Sequence, residues 1–389
     1  MKVIKGIILG IAALAAIGAV VLIIINMRML HNESSTMNAF IDRSEERYAE
    51  EQKKETEFIE DGAVIGDIYT IKSTKAISDA YINGQDPSGL SEEDKKTYDL
   101  AVKVIDEVTK GKTTDYEKEL AIYEWMAKNI GHGGDASTRA VLLDENLPMD
   151  TPYGVLSTKS AVCVGYATTF RLLVNMLGME CHIPHSDSHS WDLVKLDDGE
   201  WYLLDIYNSA SSSGSGTIDY QYFNNNEVTG ADRMDLSMMS NLPRANGKKY
   251  LYPVQKAKDA QNVYQFPEKL KKALEDKENI LSLRFKEKPS EDEVLMCSSI
   301  TEAASNRINE NDPSLNNNGQ MMMSSSWCRD ENDNYILAVF ITQDSMSSSF
   351  DADSKEAKKM KKILDKIFGK TTGYDPFSPD AGGKGDFAA

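Results

Sequence analysis

The chain has 389 residues, of which 27% are charged and 41% hydrophobic, and its formal net charge is −18. So acidic a chain repels phosphate, which disfavours nucleic acid and an anionic membrane surface as partners. Four cysteines are too few for a disulfide scaffold, and the length predicts two folded units with additional segments.

The N-terminal segment is apolar. Residues 6–25 contain no charged side chain, and Lys2 and Lys5 precede them. A helix of this length can cross a bilayer, and the positive-inside tendency places residues 1–5 in the cytoplasm. The sequence therefore predicts one transmembrane anchor over 6–26, in contact with lipid, and an extracytoplasmic bulk of the chain. A cleaved signal peptide with secretion of the remainder is the alternative.

Changes in composition divide the remainder of the chain. Residues 27–62 are polar and predict a stalk, and residues 63–248 predict the first folded domain. The pattern of residue types changes near Gly247. Residues 249–370 predict a small α+β domain of unknown role. Residues 371–389, with two prolines and several glycines, predict a disordered tail.

Capping patterns mark three helices. Ser91 with Asp94 and Thr114 with Glu117 begin two helices in the first domain, and their apolar faces predict packing on its core. In the second domain, residue patterns predict three strands, at Ile280–Lys286, Met321–Cys328 and Tyr335–Ile341. They also predict a helix capped by Ser290 and Glu293 and an amphipathic helix at Ser354–Phe368.

A cysteine lies near the start of a predicted helix in the middle of the chain. Ser160 is a suitable N-cap, Cys163 follows in the first turn, and Gly178 suits the C-terminal end. The N–H groups and the dipole at a helix start lower the pKa of a thiol, and the thiolate is the nucleophilic form.

A predicted hairpin follows this helix. Strands His189–Leu196 and Glu200–Ile206 are joined by a tight turn at Asp197–Gly199. Such a turn places Asp205 opposite Ser190 and within reach of His189. Cys163, His189 and Asp205 therefore match the pattern of a nucleophile, a base and a residue that orients the base.

These residues also carry a family resemblance. The range from about Thr114 to Phe223 resembles the bacterial transglutaminase-like domains, which share a core with papain-type cysteine proteases. The matching segments are YGVLSTKSAVCVGYATTFRLL, LGMEC, HSWDLVKL, GEWYLLDI and YQYFNNNE.

The resemblance implies a fold of the α+β class and three catalytic residues. A helix bearing the cysteine would pack on an antiparallel sheet bearing the histidine and the aspartate. Cys163 would be the nucleophile, His189 the base and Asp205 the third member of the triad. Val164 and the segment Ile206–Asn208 depart from the family pattern. These departures affect the expected acceptor pocket more than the triad.

A metal site is an alternative at the same stretch. His182, His185 and His189, with Asp187 or Asp192, could be read as a ligand cluster, but they match no recognised zinc signature. His132 lies in a glycine-rich loop, and we expect it to be exposed.

The other three cysteines are predicted to be structural. Cys181 follows the end of a helix and is expected in the core. Cys297 and Cys328 are expected to be buried thiols, with a disulfide between them as the alternative.

The sequence therefore predicts an extracytoplasmic enzyme that transfers acyl groups through a thioester and needs no cofactor or metal. Its substrate would be an amide bond of a protein or peptide, with cell-wall or surface peptides as candidates from location. Water as acceptor gives a peptidase or amidase, and an amine gives a transglutaminase. The alternative is an inactive transglutaminase-like module that binds or scaffolds at the cell surface, which Val164 and the segment after Asp205 motivate.

Overall fold

The structure is a computed structural model. It describes residues 61–66, 68–133, 148–210, 218–231, 233–234, 242–312, 322–342, 355–371, 375 and 377. The described chain combines α-helices with four small β-sheets.

The predicted fold class needs one correction. Among the residues described, no helix has both the length and the apolar character that crossing a bilayer requires. A transmembrane helix is therefore not part of the fold that is observed. The segment 6–26, to which the anchor was assigned, and residues 27–60 of the predicted stalk lie outside the described residues.

Four helices surround the central part of the first half, and two of them begin at the predicted caps. Ser91 Oγ accepts from the N–H of Asp94, and Thr114 forms a reciprocal capping box with Glu117. Because capping satisfies N–H groups locally, these starts are determined by a few adjacent residues. The helices are α1 Lys75–Ile82, α2 Glu92–Val108, α3 Asp115–Asn129 and α4 Pro152–Thr158.

The central helix, α5 Cys163–Met176, is almost entirely buried. Its residues Phe170 and Val174 share a core with Val194 and Leu204 of the neighbouring antiparallel sheet. The sheet has the order β5-β6-β7, with β5 Cys181–His182, β6 Asp192–Lys195 and β7 Trp201–Leu204. A helix that bears the cysteine thus packs on the sheet that precedes Asp205.

Short elements complete the first half. The strands β1 Val64–Ile65 and β2 Tyr69–Thr70 form a hairpin, and β3 Gly131–His132 pairs in parallel with β4 Ser160–Ala161. The short helices are α6 Ile206–Ser209, α7 Glu227–Gly230 and α8 Tyr252–Gln255, and single 3-10 turns lie at Pro87–Gly89 and Tyr220–Tyr222.

The second half is a four-stranded sheet covered by helices. The strands are β8 Ala257–Ala260, β9 Ile280–Phe285, β10 Met322–Arg329 and β11 Tyr335–Thr342. Their order in the sheet is β10-β11-β9-β8. Strand β8 is parallel to β9, and the other pairs are antiparallel. A 3-10 turn lies at Val263–Gln265, and the helices are α9 Phe266–Glu275, α10 Glu291–Asn311 and α11 Lys355–Phe368.

The two faces of this sheet pack on different cores. Leu283 and Leu337 lie in a core with the helices of the second half. Ile280, Ile336 and Phe340 lie in the core of the first half instead. The boundary near residue 248 stays a prediction, and one apolar core extends across it.

Two residues in the predicted disordered tail are packed against the fold. Phe377 is fully buried, and Asp375 Oδ2 lies 2.6 Å from Nη2 of the buried Arg307. A buried guanidinium needs a carboxylate partner such as Asp375. The sequence did not predict this ion pair because the two residues are far apart in the chain. The disordered tail over 371–389 stays a prediction.

Candidate active site

Cys163 is the first residue of α5. The N-cap is Val162, whose side chain cannot cap, and no capping side chain satisfies the first turn. The prediction that Ser160 caps this helix is wrong, because Ser160 pairs with Gly131 in the parallel strands β3 and β4. The N–H groups at the helix start therefore remain available to stabilise a negative charge beside the thiol.

The segment before α4 packs closely against this helix start. The N–H of Val162 donates to the carbonyl of Met149 at 3.1 Å. A Cβ atom at Gly165 would lie 2.0 Å from the same carbonyl oxygen, so glycine is required at this position. The approach of Met149 fixes where the chain enters α5 and hence where the thiol lies.

His189 and Asp205 are hydrogen-bonded to each other. Their Nε2 and Oδ2 atoms are 2.7 Å apart, and Asp205 is 2% exposed. The strands are shorter than predicted, and Asp192 pairs with Leu204, so the register places Trp191 opposite Asp205 instead of Ser190. His189 lies before β6 in a loop, where its carbonyl accepts from the N–H of Ser186 at 2.8 Å.

The Cys163 thiol interacts with the His189 imidazole. Since Nε2 of His189 faces Asp205, the other ring nitrogen, Nδ1, is the one available to the sulfur. Burial opposes the charged form of each group. The interaction with His189 nevertheless lowers the pKa of Cys163, and the hydrogen bond to Asp205, together with the interaction with Cys163, raises the pKa of His189. The site therefore favours a thiolate–imidazolium pair.

Asn208 also contacts Asp205, and sequence reasoning missed this role. Its backbone N–H donates to Oδ1 of Asp205 at 3.0 Å, and its side-chain Nδ2 donates to Oδ2 at 2.7 Å. The same Nδ2 lies 3.4 Å from Nε2 of His189. The i to i+3 spacing of an aspartate N-cap was a sequence signal for the backbone contact.

Two stacked aromatic rings lie beside the cysteine. His132 stacks on Tyr207 with ring centroids 4.3 Å apart, and its Nε2 contacts the Tyr207 carbonyl oxygen at 2.8 Å. Tyr207 packs against the apolar cluster that contains Cys163. The expectation that His132 is exposed is therefore wrong: the pairing of β3 with β4 brings it, half-buried, next to the site.

The β1–β2 hairpin also packs against the cysteine. Ile65 and Ile71, both buried, share an apolar cluster with Cys163 and Val164. The N–H of Gly66 donates to the carbonyl of Asp187 at 2.7 Å, which connects the hairpin to the loop that carries His189. The hairpin therefore links the chain segments that carry Cys163 and His189.

The other histidines have different surroundings. The ring of His182 stacks on Trp201 with centroids 5.1 Å apart, whereas His189 is bonded to Asp205. Within the described part of the chain, no group of three or more His, Cys, Asp or Glu residues is arranged to hold a metal ion.

The four cysteines are free thiols, and all are buried. Cys181 lies beside Asp192, with 3.7 Å between Sγ and Oδ1. Burial raises the pKa of the Cys297 thiol. The predicted disulfide alternative between Cys297 and Cys328 is not formed. The thiol of Cys163 interacts with the imidazole of His189.

Comparison with known proteins agrees with this geometry. Residues 102–206 match the profile of the family described as the transglutaminase-like superfamily, and the matched range contains Cys163, His189 and Asp205. Over this range the chain is similar to transglutaminase-like domains. No curated protein matches the chain significantly.

One solved structure with partial similarity is described as the crystal structure of a TGase. It shares 21% sequence identity with this chain, and the match covers 35% of this chain and 38% of that structure, with a TM-score of 0.26. The matched region is thus well under half of either chain, and so low a TM-score does not establish a shared fold.

Proposed function

We propose that this protein is a cysteine enzyme that transfers acyl groups from amide bonds of proteins or peptides. The observation that carries the proposal is the hydrogen bond between His189 and Asp205, with the same imidazole interacting with a cysteine, Cys163, at the start of a buried helix. A thiolate at a helix start, paired with an imidazolium that a carboxylate orients, is the arrangement of an activated sulfur nucleophile.

The first half-reaction forms a thioester. The Cys163 thiolate attacks the amide carbonyl carbon, which forms a C–S bond and an oxyanion. N–H groups at the start of α5, including that of Cys163, are placed to stabilise the oxyanion. His189 then gives its proton to the leaving nitrogen, the C–N bond breaks, and ammonia or an amine departs.

The second half-reaction releases the acyl group. His189 accepts a proton from the incoming water or amine, which attacks the thioester carbonyl and displaces the thiolate. Water yields an acid, as in a peptidase or amidase, and an amine yields a new amide, as in a transglutaminase. The identity of the acceptor depends on how well the cleft excludes water. Cell-wall or surface peptides as substrates stay a prediction from the sequence alone.

The alternative of an inactive binding module loses part of its motivation. The side chain of Val164 is fully buried and packs with Ile65 and Ile71, so it serves the core beneath the helix start. The unusual segment after Asp205 supplies Asn208, which binds the carboxylate of the triad. Both departures from the family pattern are thus compatible with an active site.

Selective alkylation of the native protein tests the proposal. We expect iodoacetamide at neutral pH to label Cys163 well before Cys297, and His189→Ala to slow the labelling of Cys163. Peptide mapping by mass spectrometry measures each thiol separately. Equal labelling of all four thiols, unchanged by His189→Ala, would support the binding module instead.

A second assay distinguishes the two acyl acceptors. A glutamine-containing protein such as casein is incubated with the enzyme and a fluorescent primary amine. Ammonia release without incorporation of the amine indicates hydrolysis, and incorporation indicates transamidation. Cys163→Ala is the control for both readouts.

A further inference from the structure

His132 donates a hydrogen bond to the backbone of the segment that follows Asp205. Its Nε2 lies 2.8 Å from the carbonyl oxygen of Tyr207, and its ring stacks on the Tyr207 ring with centroids 4.3 Å apart. A carbonyl oxygen can only accept, so Nε2 carries the proton of this bond. The half-buried imidazole thus binds a chain segment that lies 75 residues further along.

The Tyr207 carbonyl needs a donor from outside its own helix. The helix α6 is a single turn, and the residue that would donate to Tyr207 in a longer helix lies beyond its end. Helices shorter than about 12 residues are marginal on their own in water. The position of α6 therefore depends on its contacts with the surrounding fold.

The start of the same short helix carries the carboxylate of the triad. Asp205 is the N-cap of α6, and its backbone carbonyl accepts from the N–H of Ser209 at 3.1 Å. Its side-chain Oδ2 is hydrogen-bonded to His189 at 2.7 Å. A displacement of α6 would therefore displace the carboxylate that orients the imidazole of His189.

The backbone around His132 is fixed to the chain that enters the cysteine helix. Strand β3, which ends at His132, pairs in parallel with β4. The N–H of Gly133 donates to the carbonyl of Ala161 at 2.7 Å, and Cys163 begins α5 just beyond Ala161. His132 thus connects the segment that carries the nucleophile with the helix that Asp205 caps.

We propose that His132 is a positioning residue, which holds the Asp205 carboxylate in place relative to Cys163 through its hydrogen bond to α6. This inference rests on the proposed function, in which Asp205 and Cys163 act together through His189. His132 keeps its proton and does not act as a base. Catalytic groups must be held within about 0.5 Å of their productive positions, so the loss of one supporting contact lowers the rate.

Two substitutions of His132 separate the hydrogen bond from the ring stacking. His132→Phe keeps a ring on Tyr207 but has no donor, whereas His132→Gln keeps an N–H group in place of Nε2. We expect His132→Phe to lower kcat for ammonia release from casein about tenfold with little change in KM, because it removes one hydrogen bond that acts on the triad. His132→Gln should restore most of kcat.

His182 provides a matched control. Its ring is half-buried like that of His132, and it also stacks on an aromatic side chain, that of Trp201. His182→Phe makes the same chemical change away from α6 and should keep the wild-type kcat. Equal losses in His132→Phe and His182→Phe, or a wild-type kcat in His132→Phe, would overturn the inference. So would full activity of His132→Phe combined with a loss in His132→Gln, since packing alone would then explain the role.

A double variant tests whether His132 acts through Asp205. If it does, His132→Phe combined with Asp205→Asn should be no slower than Asp205→Asn alone, because residues that act as a unit are not additive. A further loss of about tenfold in the double variant would refute the positioning role. A distinguishable result concerns the wild type: if it shows no turnover and its Cys163 reacts with iodoacetamide no faster than Cys297, the proposed function is wrong, and this inference fails with it.

Discussion

Asn208 donates hydrogen bonds to both carboxylate oxygens of Asp205, one from its backbone at 3.0 Å and one from its side chain at 2.7 Å. Oδ2 of Asp205 is therefore shared between the Asn208 amide and Nε2 of His189. The backbone bond belongs to the helix cap, whereas the side-chain bond serves only the carboxylate. Substitution of the Asn208 side chain can thus test its effect on Asp205 and His189 while the cap remains.

We expect Asn208→Ala to lower the maximal rate of Cys163 alkylation and of amide turnover by about tenfold, because one hydrogen bond to a charged group contributes about 1.5 kcal/mol. The carboxylate then holds the imidazole in a less defined orientation. Asn129→Ala removes an exposed amide that donates to the carbonyl of Trp125, and it serves as the control. Rates for Asn208→Ala within twofold of the wild type would contradict the role of Asn208.

The coupling between Asp205 and His189 provides a second prediction. Asp205→Asn keeps the size of the side chain and its ability to cap α6 but removes the charge next to the imidazole. We expect amide turnover to fall by a few orders of magnitude with little change in thermal stability. His189→Ala combined with Asp205→Asn should be little worse than His189→Ala alone, because residues that act as a unit are not additive. Additive losses in the double variant would show that the two residues act separately.

Glu119 makes stability depend on pH. Its side chain is fully buried on α3, Oε2 accepts from Asn224 at 2.9 Å, and Oε1 has no partner among the described residues. Burial raises the pKa of Glu119 to about 8. Between about pH 4.5 and pH 8, the folded state keeps a proton that the unfolded chain has lost. The free energy of unfolding therefore falls as the pH rises through this window, by at most about 1.4 kcal/mol per pH unit.

We expect Glu119→Gln to remove this pH dependence, because the amide is neutral throughout. Urea unfolding should show the variant close to wild-type stability at pH 5 and more stable at pH 8, by a margin on the order of 2 kcal/mol. Glu107→Gln, on the exposed face of α2, is the control. If Glu119→Gln and the wild type lose the same stability from pH 5 to pH 8, the group is not protonated in the folded state.

The β1–β2 hairpin provides a prediction on stability. Ile65 is 1% exposed in the cluster beneath Cys163, whereas Ile68, in the turn of the same hairpin, is 69% exposed. Truncating a buried isoleucine costs about 2–5 kcal/mol, and a surface substitution typically changes stability by less than about 0.5 kcal/mol. Chemical denaturation should therefore show a large loss for Ile65→Ala and almost none for Ile68→Ala. Similar small losses for both would mean that the hairpin does not contribute to the core beneath the cysteine.

Much of this fold could be predicted from the sequence, because it depends on interactions between residues that are close in the chain. The starts of α2, α3 and α10 were predicted from serine or threonine caps, because a cap involves residues only three apart. The strands β9, β10 and β11 were predicted from short patterns to within one residue at each end. His189 and Asp205 were expected to be close because one tight turn brings them together, although the register differs by one residue.

The sequence by itself determined the helix that carries Cys163 and the hairpin that brings His189 close to Asp205, since both follow from contacts between near neighbours in the chain. Only the tertiary structure decided which other groups surround the sulfur. His132 reaches the site through a parallel strand pair, the hairpin carrying Ile65 packs beneath Cys163 from about 100 residues away, and Asp375 finds Arg307. Such contacts depend on the packing of the whole core, and no local pattern of residue types encodes them.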